Sequence, residues 1–299
     1  MRLLALFVFA IVQSVAAENY PAKPIRLVVP FAPGGSSTIV ARSFATEMSK
    51  ALGQELYIEN KGGGGGNVAM ADVAHADADG YSLIIGHVGS LAMTPFMEKN
   101  LGYDVNRDFT AVSLLAKVPN IFVVHSSVPA KNLREFVALA KKEPGKLNYG
   151  SAGNGSAGHL AMEYLKLVTG MDIQHVPYKG TGPNLIDLVA GRTQATSAGT
   201  PPLMPHVKSG KLRVIAVGTP KRLASLPDVP TVAEQGYSGF ETSQWYGLNA
   251  PAKTPALLQR FAAEDAEALG SSPEDYAAFI AKEQARWRDV IQRAGVKAD

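Results

Sequence analysis

The chain has 299 residues, of which 46% are hydrophobic and 18% charged, and its net charge is +3. This balance excludes bulk disorder, and without a long Lys/Arg run it does not predict nucleic-acid binding. The absence of cysteine excludes disulfides, cysteine-ligated metal sites and thiol nucleophiles, and the length predicts two domains, with one large domain as the alternative.

The first residues predict a cleavable secretory signal. Residues 3–12 are ten consecutive apolar residues, and small residues follow them up to Ala17. Ten residues rise only about 15 Å as a helix, which is half of a bilayer's ~30 Å hydrocarbon core. We therefore predict a signal peptide over residues 1–17, with a buried N-terminal helix as the alternative. The mature chain has no other long apolar stretch, and we expect it to be soluble.

Predicted strands and helices alternate in the first part of the chain. Apolar, β-branched runs predict strands at residues 25–31, 56–59 and 82–86. Apolar residues at helical spacing predict a helix over residues 39–52, and an Ala-rich stretch predicts another over residues 67–76. The alternation predicts a parallel sheet with helices on both faces.

A second set of the same elements begins near Ile121. Strands are predicted at residues 121–124, 147–150, 173–178 and 212–217, and helices at residues 133–143, 155–168, 183–190 and 273–295. Asn132 with Glu135 predicts a capping box, and Trp287 on the last helix is interpreted as a packing anchor. These patterns predict an α/β protein with one lobe from residues 18–120 plus 221–299 and another from residues 121–220.

Five loops follow predicted strands and lack Asp and Glu altogether. They are Phe31–Thr38, Gly86–Pro95, Gly150–Gly158, Tyr178–Pro183 and Ser197–Pro205. The loops are rich in Gly, Ser, Thr and Asn, and several lead into a helix whose first N–H groups lack partners. Such loops predict a carboxylate or phosphate site in one cleft. The alternative for any one loop is that its Ser and Thr only cap a helix.

Other chemistries are weakly supported. Residues 153–158 form a G-x-G-x-x-G with Asp172 at a suitable distance, but export argues against a dinucleotide. The G-x-S-x-G elbow is missing around Ser156, and the six histidines lack metal-ligand spacing. The glycine run Gly62–Gly66 lacks the Lys-Ser/Thr of a phosphate-binding loop. An exported α/β hydrolase using Ser156 and His159 stays the alternative function.

Several short motifs, taken together, resemble one family. They are Tyr20–Arg26 with Val29–Gly35, Ile58–Lys61, Asp79–Tyr81, Tyr149–Leu160, Val176–Gly180, Leu226–Glu234 and Trp245–Leu248. This pattern resembles the Bug-type, or TctC-like, extracytoplasmic solute-binding receptors of tripartite tricarboxylate transporters.

The resemblance implies a two-lobed periplasmic binding protein of type II-like, Venus-flytrap architecture, in which each lobe has a mostly parallel sheet flanked by helices. It implies capture of a small organic carboxylate for transport or sensing, with no catalysis, no cofactor and no metal. Membrane transporter subunits or a sensor kinase are the implied partners, and a periplasmic monomer that does not bind nucleic acid is expected.

The resemblance and the loop analysis together give a set of candidate ligand-binding residues. They are Phe31, Pro33, Gly34, Gly35, Ser36, Thr38, Ser90, Ser151, Asn154, Ser156, His159, Tyr178, Gly180, Thr181 and Thr200. Thr38 and Ala198 stand where many relatives have Asp, which favours a carboxylate without an ammonium group. The region around residues 269–273 is shorter than in relatives, so a peripheral strand of the first lobe is expected to be missing.

Overall fold

A computed structural model describes residues 20–254 and 270–294, so the predicted signal peptide lies outside the described residues. The first elements are β1 (Ile25–Val29), α1 (Ser36–Leu52), β2 (Leu56–Asn60), α2 (Asn67–Ala74), β3 (Ser82–His87) and α3 (Val105–Asp108). Short 3-10 turns at Gly64–Gly66 and Thr94–Phe96 and a π-helical turn at Gly89–Met93 lie between them.

The remaining elements begin with a strand of 17 residues. They are β4 (Phe109–His125), α4 (Leu133–Lys142), β5 (Asn148–Ser151), α5 (Ala157–Thr169), β6 (Gln174–Pro177), α6 (Thr181–Val189), β7 (Ala195–Gly199), α7 (Thr200–Lys208), β8 (Leu212–Val217), β9 (Ser243–Pro251) and α8 (Pro273–Ala294). Among residues 20–254 and 270–294, no helix combines the length and the apolar composition that a bilayer crossing requires.

Strand β4 belongs to two sheets and joins them. Its residues up to Pro119 pair with β9 in a first sheet of order β2-β1-β3-β9-β4. From Asn120 onward it pairs with β7 and β8 in a second sheet, which continues through β5 to β6. We call the elements on the first sheet the first lobe and those on the second sheet the second lobe. The predicted two-lobed α/β fold is confirmed.

Each sheet is mixed rather than purely parallel. In the first, β1 pairs in parallel with β2 and β3, while β9 is antiparallel to β3 and β4. In the second, β5 pairs in parallel with β6 and β7, while β4 is antiparallel to β7 and β8. The sequence patterns did not predict β9, and they predicted β4 only over its last residues.

The inner strands bury both faces, because helices cover both sides of each sheet, whereas the edge strands β2 and β6 are mostly half-buried or exposed. On β1, Ile25, Leu27 and Val29 pack with α1, whereas Val28 packs on the opposite face with α2 and α8. Successive strand residues point to opposite faces, so this alternation is what a doubly covered sheet requires. Trp287 of α8 is 2% exposed and packs in the same cluster as Val28, in agreement with its interpretation as a packing anchor.

The described chain passes between the sheets at Pro119–Asn120 and again at Thr242–Ser243. Between these crossings, Val232 and Phe240 join the core of the second lobe, and the Phe240 ring packs 5.8 Å from that of Phe122. The sequence division placed every residue after 220 in the first lobe, and the packing of residues 223–240 differs from it. The apolar residues of this segment are too sparse to indicate which sheet they cover.

Candidate functional site

A cavity of about 20 Å³ lies between the lobes, where β1, β3, β5 and β7 end. This volume holds about one water molecule. Its lining contains no Lys, Arg, Asp or Glu. The lining residues are Phe31, Ser36, Ser37, His87, Ala152, Ser156, Ala157, Gly158, Thr181, Asn184, Ser197, Ala198, Gln244 and Tyr246.

Three helices begin at this cavity. Helices α1 and α6 have glycine N-caps, Gly35 and Gly180, which supply no side-chain cap. Helix α5 is capped by Ser156, whose Oγ accepts from the backbone N–H of His159 at 3.3 Å. None of the three has an acidic residue in its first turn. Each helix start carries unpaired N–H groups and roughly half a positive charge, so the three starts together favour an anion.

Three lining side chains have buried polar atoms that make no hydrogen bond within the described structure. They are Ser36 Oγ, Asn184 Oδ1 and Ser197 Oγ, and their residues are 4%, 1% and 2% exposed. The Asn184 amide nitrogen donates to Thr196 Oγ1 at 2.9 Å, which fixes the orientation of that side chain. A buried polar atom without a partner costs about 1–3 kcal/mol. A polar ligand that reaches the Ser197 hydroxyl recovers part of this cost.

A chain of neutral side chains closes the side of the cavity formed by β9. Tyr246 donates its hydroxyl hydrogen to Gln244 Oε1, and Gln244 Nε2 donates to Asn120 Oδ1 at 2.8 Å. Burial raises the pKa of Tyr246 above its ordinary value, so the phenol stays protonated. The loop pattern does not indicate Gln244 and Tyr246, because they lie on strand β9, whose polar face is apparent only once β4 is placed beside it.

His87 is the lining residue that could carry a charge. Its ring is 2% exposed and lies 4.8 Å from the ring of Phe31. Burial lowers the pKa of His87 to about 3, although a hydrogen bond to Gly65 opposes the shift. The imidazole is therefore neutral near pH 7, and the cavity wall consists of uncharged hydrogen-bonding groups.

The two lobes touch beside the cavity through backbone atoms. Ala32 N–H donates to the carbonyl oxygen of Lys179 at 2.9 Å. A Cβ atom added to Gly34 would lie 3.0 Å from Gly182 Cα, and one added to Gly180 would lie 2.9 Å from Ala32 N. Of the candidate residues, Phe31, Ser36, Ser156 and Thr181 line the cavity. The glycines at 34, 35 and 180, with Pro33, form this contact between the lobes.

Several other candidates lie outside the lining and have local partners. Thr38 Oγ1 accepts from Asn60 Nδ2 at 3.2 Å, and Ser90 Oγ donates to His87 O at 3.4 Å. Tyr178 donates its hydroxyl hydrogen to Asp187 Oδ2 at 2.7 Å. Thr200 is the first residue of α7. Of the two positions at which the resemblance led us to expect Asp, Ala198 belongs to the lining and Thr38 does not.

The remaining candidates support the loop before α5. Ser151 Oγ lies 2.7 Å from His175 Nε2, and the rings of His159 and His175 stack at 4.2 Å. His159 Nδ1 accepts from Gly155 N–H at 3.2 Å, and the carbonyl of Asn154 faces the other lobe. Ser156 and His159 thus make the contacts of a helix cap. Among the described residues, no three metal-ligating His, Asp or Glu side chains cluster.

Comparisons with known proteins point to one family. The family model for the TctC, tripartite tricarboxylate transporter family receptor matches residues 40–263. Protein BugT of Bordetella pertussis is 33% identical over 95% of this chain and 93% of its own. The structure of R. palustris Rpa4515 with adipate has a TM-score of 0.88 and 36% identity, covering 93% of this chain and 99% of that one. MatC (Rpa3494) from Rhodopseudomonas palustris with bound malate has a TM-score of 0.85 and 33% identity, covering 91% of this chain and 100% of that one.

Proposed function

Because the chain belongs to the receptors of the tripartite tricarboxylate transporter family, we propose that it is a periplasmic solute-binding protein for a small organic carboxylate. The observation that carries the proposal is the convergence of three helix N-termini, without any acidic side chain, on one neutral cavity. Similar structures that contain adipate and malate support the same class of ligand.

In this proposal, backbone N–H groups and hydroxyls hold the carboxylate. The first N–H groups of α1, α5 and α6 face the anion, and Thr181 and Ser197 add hydroxyl groups. Their partial charges stabilise the carboxylate without a salt bridge, so the anion can also be released. The cavity of about 20 Å³ is smaller than a carboxylate of several carbons, and the lobes must part to admit one and close around it.

We also propose a cellular location, an oligomeric state and partners for this protein. Residues 1–17 direct export, and the mature chain acts as a monomer without catalysis. It delivers its ligand to membrane transporter subunits or to a sensor kinase. With Ala at position 198, the lining has no carboxylate to pair with an ammonium group, so the ligand is a carboxylate whose remainder is neutral, apolar or also anionic.

A thermal-shift screen over mono-, di- and tricarboxylates, including adipate and malate, tests this function. A carboxylate at 100 times its Kd is expected to add about 2.7 kcal/mol to the free energy of unfolding and to raise the Tm. The account predicts that amino acids raise the Tm less than the best carboxylate does. A screen in which no carboxylate raises the Tm, or in which an amino acid raises it most, contradicts the proposal.

Substitution of Ser156 distinguishes a receptor from a hydrolase. In a receptor, Ser156→Ala removes a helix cap worth about 1 kcal/mol and weakens carboxylate binding several-fold. The control is Ser272→Ala, which removes a capping contact to Asp275 N–H at 3.0 Å far from the cavity. Ester hydrolysis by the wild-type protein that disappears in Ser156→Ala would establish the hydrolase instead.

A further inference from the structure

His87 contacts both the ligand cavity and the segment where the lobes meet. It ends β3, and its ring forms part of the cavity wall. Its two ring nitrogens bond to separate backbone segments of the first lobe. One lies 3.1 Å from the carbonyl oxygen of Gly65 in the glycine run, and the other accepts from Gly89 N–H at 3.0 Å.

These two partners assign the tautomer of the ring. Nδ1 receives the Gly89 N–H and must be unprotonated, whereas Nε2 faces a carbonyl oxygen and must carry the hydrogen. The neutral Nε2–H form satisfies both bonds, and the imidazolium would break the bond from Gly89. Burial lowers the pKa of His87 and thus keeps the ring in this neutral form.

Gly65 and Gly89, the two glycines that hydrogen-bond to His87, lie against two adjacent residues of the other lobe. A Cβ atom added to Gly65 would lie 1.9 Å from the carbonyl oxygen of Asn154. One added to Gly89 would lie 2.5 Å from the carbonyl oxygen of Gly155. Asn154 and Gly155 lead directly into Ser156, which lines the cavity and caps α5. One side chain therefore aligns two backbone segments against the loop that begins a ligand-facing helix.

We propose that His87 is a positioning residue for lobe closure, which holds Gly65 and Gly89 as the surface on which Asn154 and Gly155 dock. The His87 ring forms part of the cavity wall and also hydrogen-bonds to the two glycines of the docking surface. Ligand binding in the cavity and closure of the lobes are therefore coupled through this ring. The ligand part of this inference rests on the proposed function, whereas the docking part concerns the free protein as well.

Two amide substitutions separate the two bonds of the ring, because each keeps one polar atom near one ring nitrogen. His87→Gln places an amide nitrogen near Nε2 and keeps a donor for Gly65, whereas His87→Asn places an oxygen near Nδ1 and keeps an acceptor for Gly89. The control is His75→Asn, which alters an exposed first-lobe histidine that bonds the Ala71 carbonyl away from the cleft. The chain has no cysteine, so Lys50→Cys on α1 and Lys141→Cys on α4 accept spin labels selectively.

The measurement is the distribution of distances between these labels, with the protein free, with adipate and with malate. Loss of either bond is expected to lower the ratio of closed to open molecules about tenfold, since a buried group loses its partner. The His75→Asn control is expected to match the wild-type distribution. If the ring bonds matter only for folding, the folded variants keep the wild-type distribution, and the proposal is overturned. A wild-type protein with no closed population in any condition also overturns it.

The ligand arm separates this proposal from the proposed function. If neither adipate nor malate shifts the wild-type distances while both His87 variants change the free distribution, the function fails for these ligands and the role of His87 stands. If the variants do not fold, nitrogen NMR of the wild-type ring decides the question. The Nε2–H tautomer is expected at pH 7, and an Nδ1–H or cationic ring contradicts the proposal.

Discussion

At the level of individual residues, the proposed carboxylate binding depends on a cavity lining without charged side chains. The cavity is lined by hydroxyl, amide and imidazole groups, and none of the lining side chains is ionised near pH 7. In the proposed site, the carboxylate is then stabilised by oriented N–H groups and hydroxyls, without a cationic side chain. A single negative charge placed in the wall is therefore expected to have a large effect, because the low polarisability around the cavity strengthens repulsion.

Ala198→Asp tests this electrostatic argument. Ala198 lines the cavity and is 3% exposed, so an ionised side chain there lies close to the bound carboxylate. We expect the Kd for carboxylates to rise about a hundredfold or more. Ala198→Asn adds nearly the same volume without the charge, and it is expected to weaken binding much less. Calorimetric titration with adipate and malate compares the two, and equal losses in both variants would show that volume alone is responsible.

Buried histidines predict a dependence of stability on pH. The pKa values of His87 and His175 are lowered to about 3, mainly by burial, and nearby His159 and Lys166 also lower that of His175. The unfolded chain binds these protons near pH 6.5, so stability is complete above that pH and falls below it. Two groups give a loss of roughly 2.7 kcal/mol per pH unit in the range from about 6 to 4. Urea unfolding across this range measures the slope, and a flat profile between pH 7 and 5 contradicts it.

Sequence reasoning found the loops of the site more reliably than its residues. The absence of acid in the loops of residues 31–38, 86–95, 150–158, 178–183 and 197–205 indicated an anion site, and all five supply lining residues. Asn184 was missed because it lies one turn inside α6. A pattern along the chain does not show which face of a first helical turn meets the opposite lobe.

At the level of elements, the helices were easier to predict than the strands. The helix cap predicted at Asn132 is confirmed, because its Oδ1 accepts from Glu135 N–H at 2.9 Å, and the Glu135 side chain accepts in return from Lys131 N–H at 2.7 Å. The sequence pattern that predicts this cap lies within four consecutive residues, so it can be recognised without knowledge of the tertiary structure. Strand β9, by contrast, derives its stability from pairing with β3 and β4, more than a hundred residues away in sequence. Pro119 within β4 further masked the continuity of that strand.

The glycine run Gly62–Gly66 lets the backbone of the other lobe approach closely, because its residues have no side chains. Gly65→Ala tests this role. Gly65 has φ 59°, and an added Cβ would lie 1.9 Å from Asn154 O across the cleft. Gly53→Ala is the matched control, because Gly53 has φ 65° and open space around it. Both changes carry a positive-φ strain of about 1–2 kcal/mol. Only Gly65→Ala is expected to weaken adipate or malate binding, by about tenfold or more, in calorimetric titration; equal affinities in the two variants would contradict this role.

At the level of the whole molecule, two chain crossings connect the lobes. They lie at Pro119–Asn120 and Thr242–Ser243, and the Gln244–Asn120 hydrogen bond joins the two crossing segments. We propose that the lobes divide at these crossings, which assigns residues 120–242 to the second lobe. Sequence patterns predicted two lobes because each repeats strand and helix, but the returning segment of residues 223–240 carries no such repeat.

The central claim is that a carboxylate binds between the lobes at uncharged helix N-termini. Crystal structures of the protein with adipate and with malate test this claim most directly. The account predicts carboxylate oxygens within about 3 Å of backbone N–H groups at the first turns of α1, α5 or α6, with both lobes in contact with the ligand. It also predicts that no Lys or Arg side chain binds the carboxylate. A carboxylate paired with such a cation, or bound outside the cleft, would contradict the account.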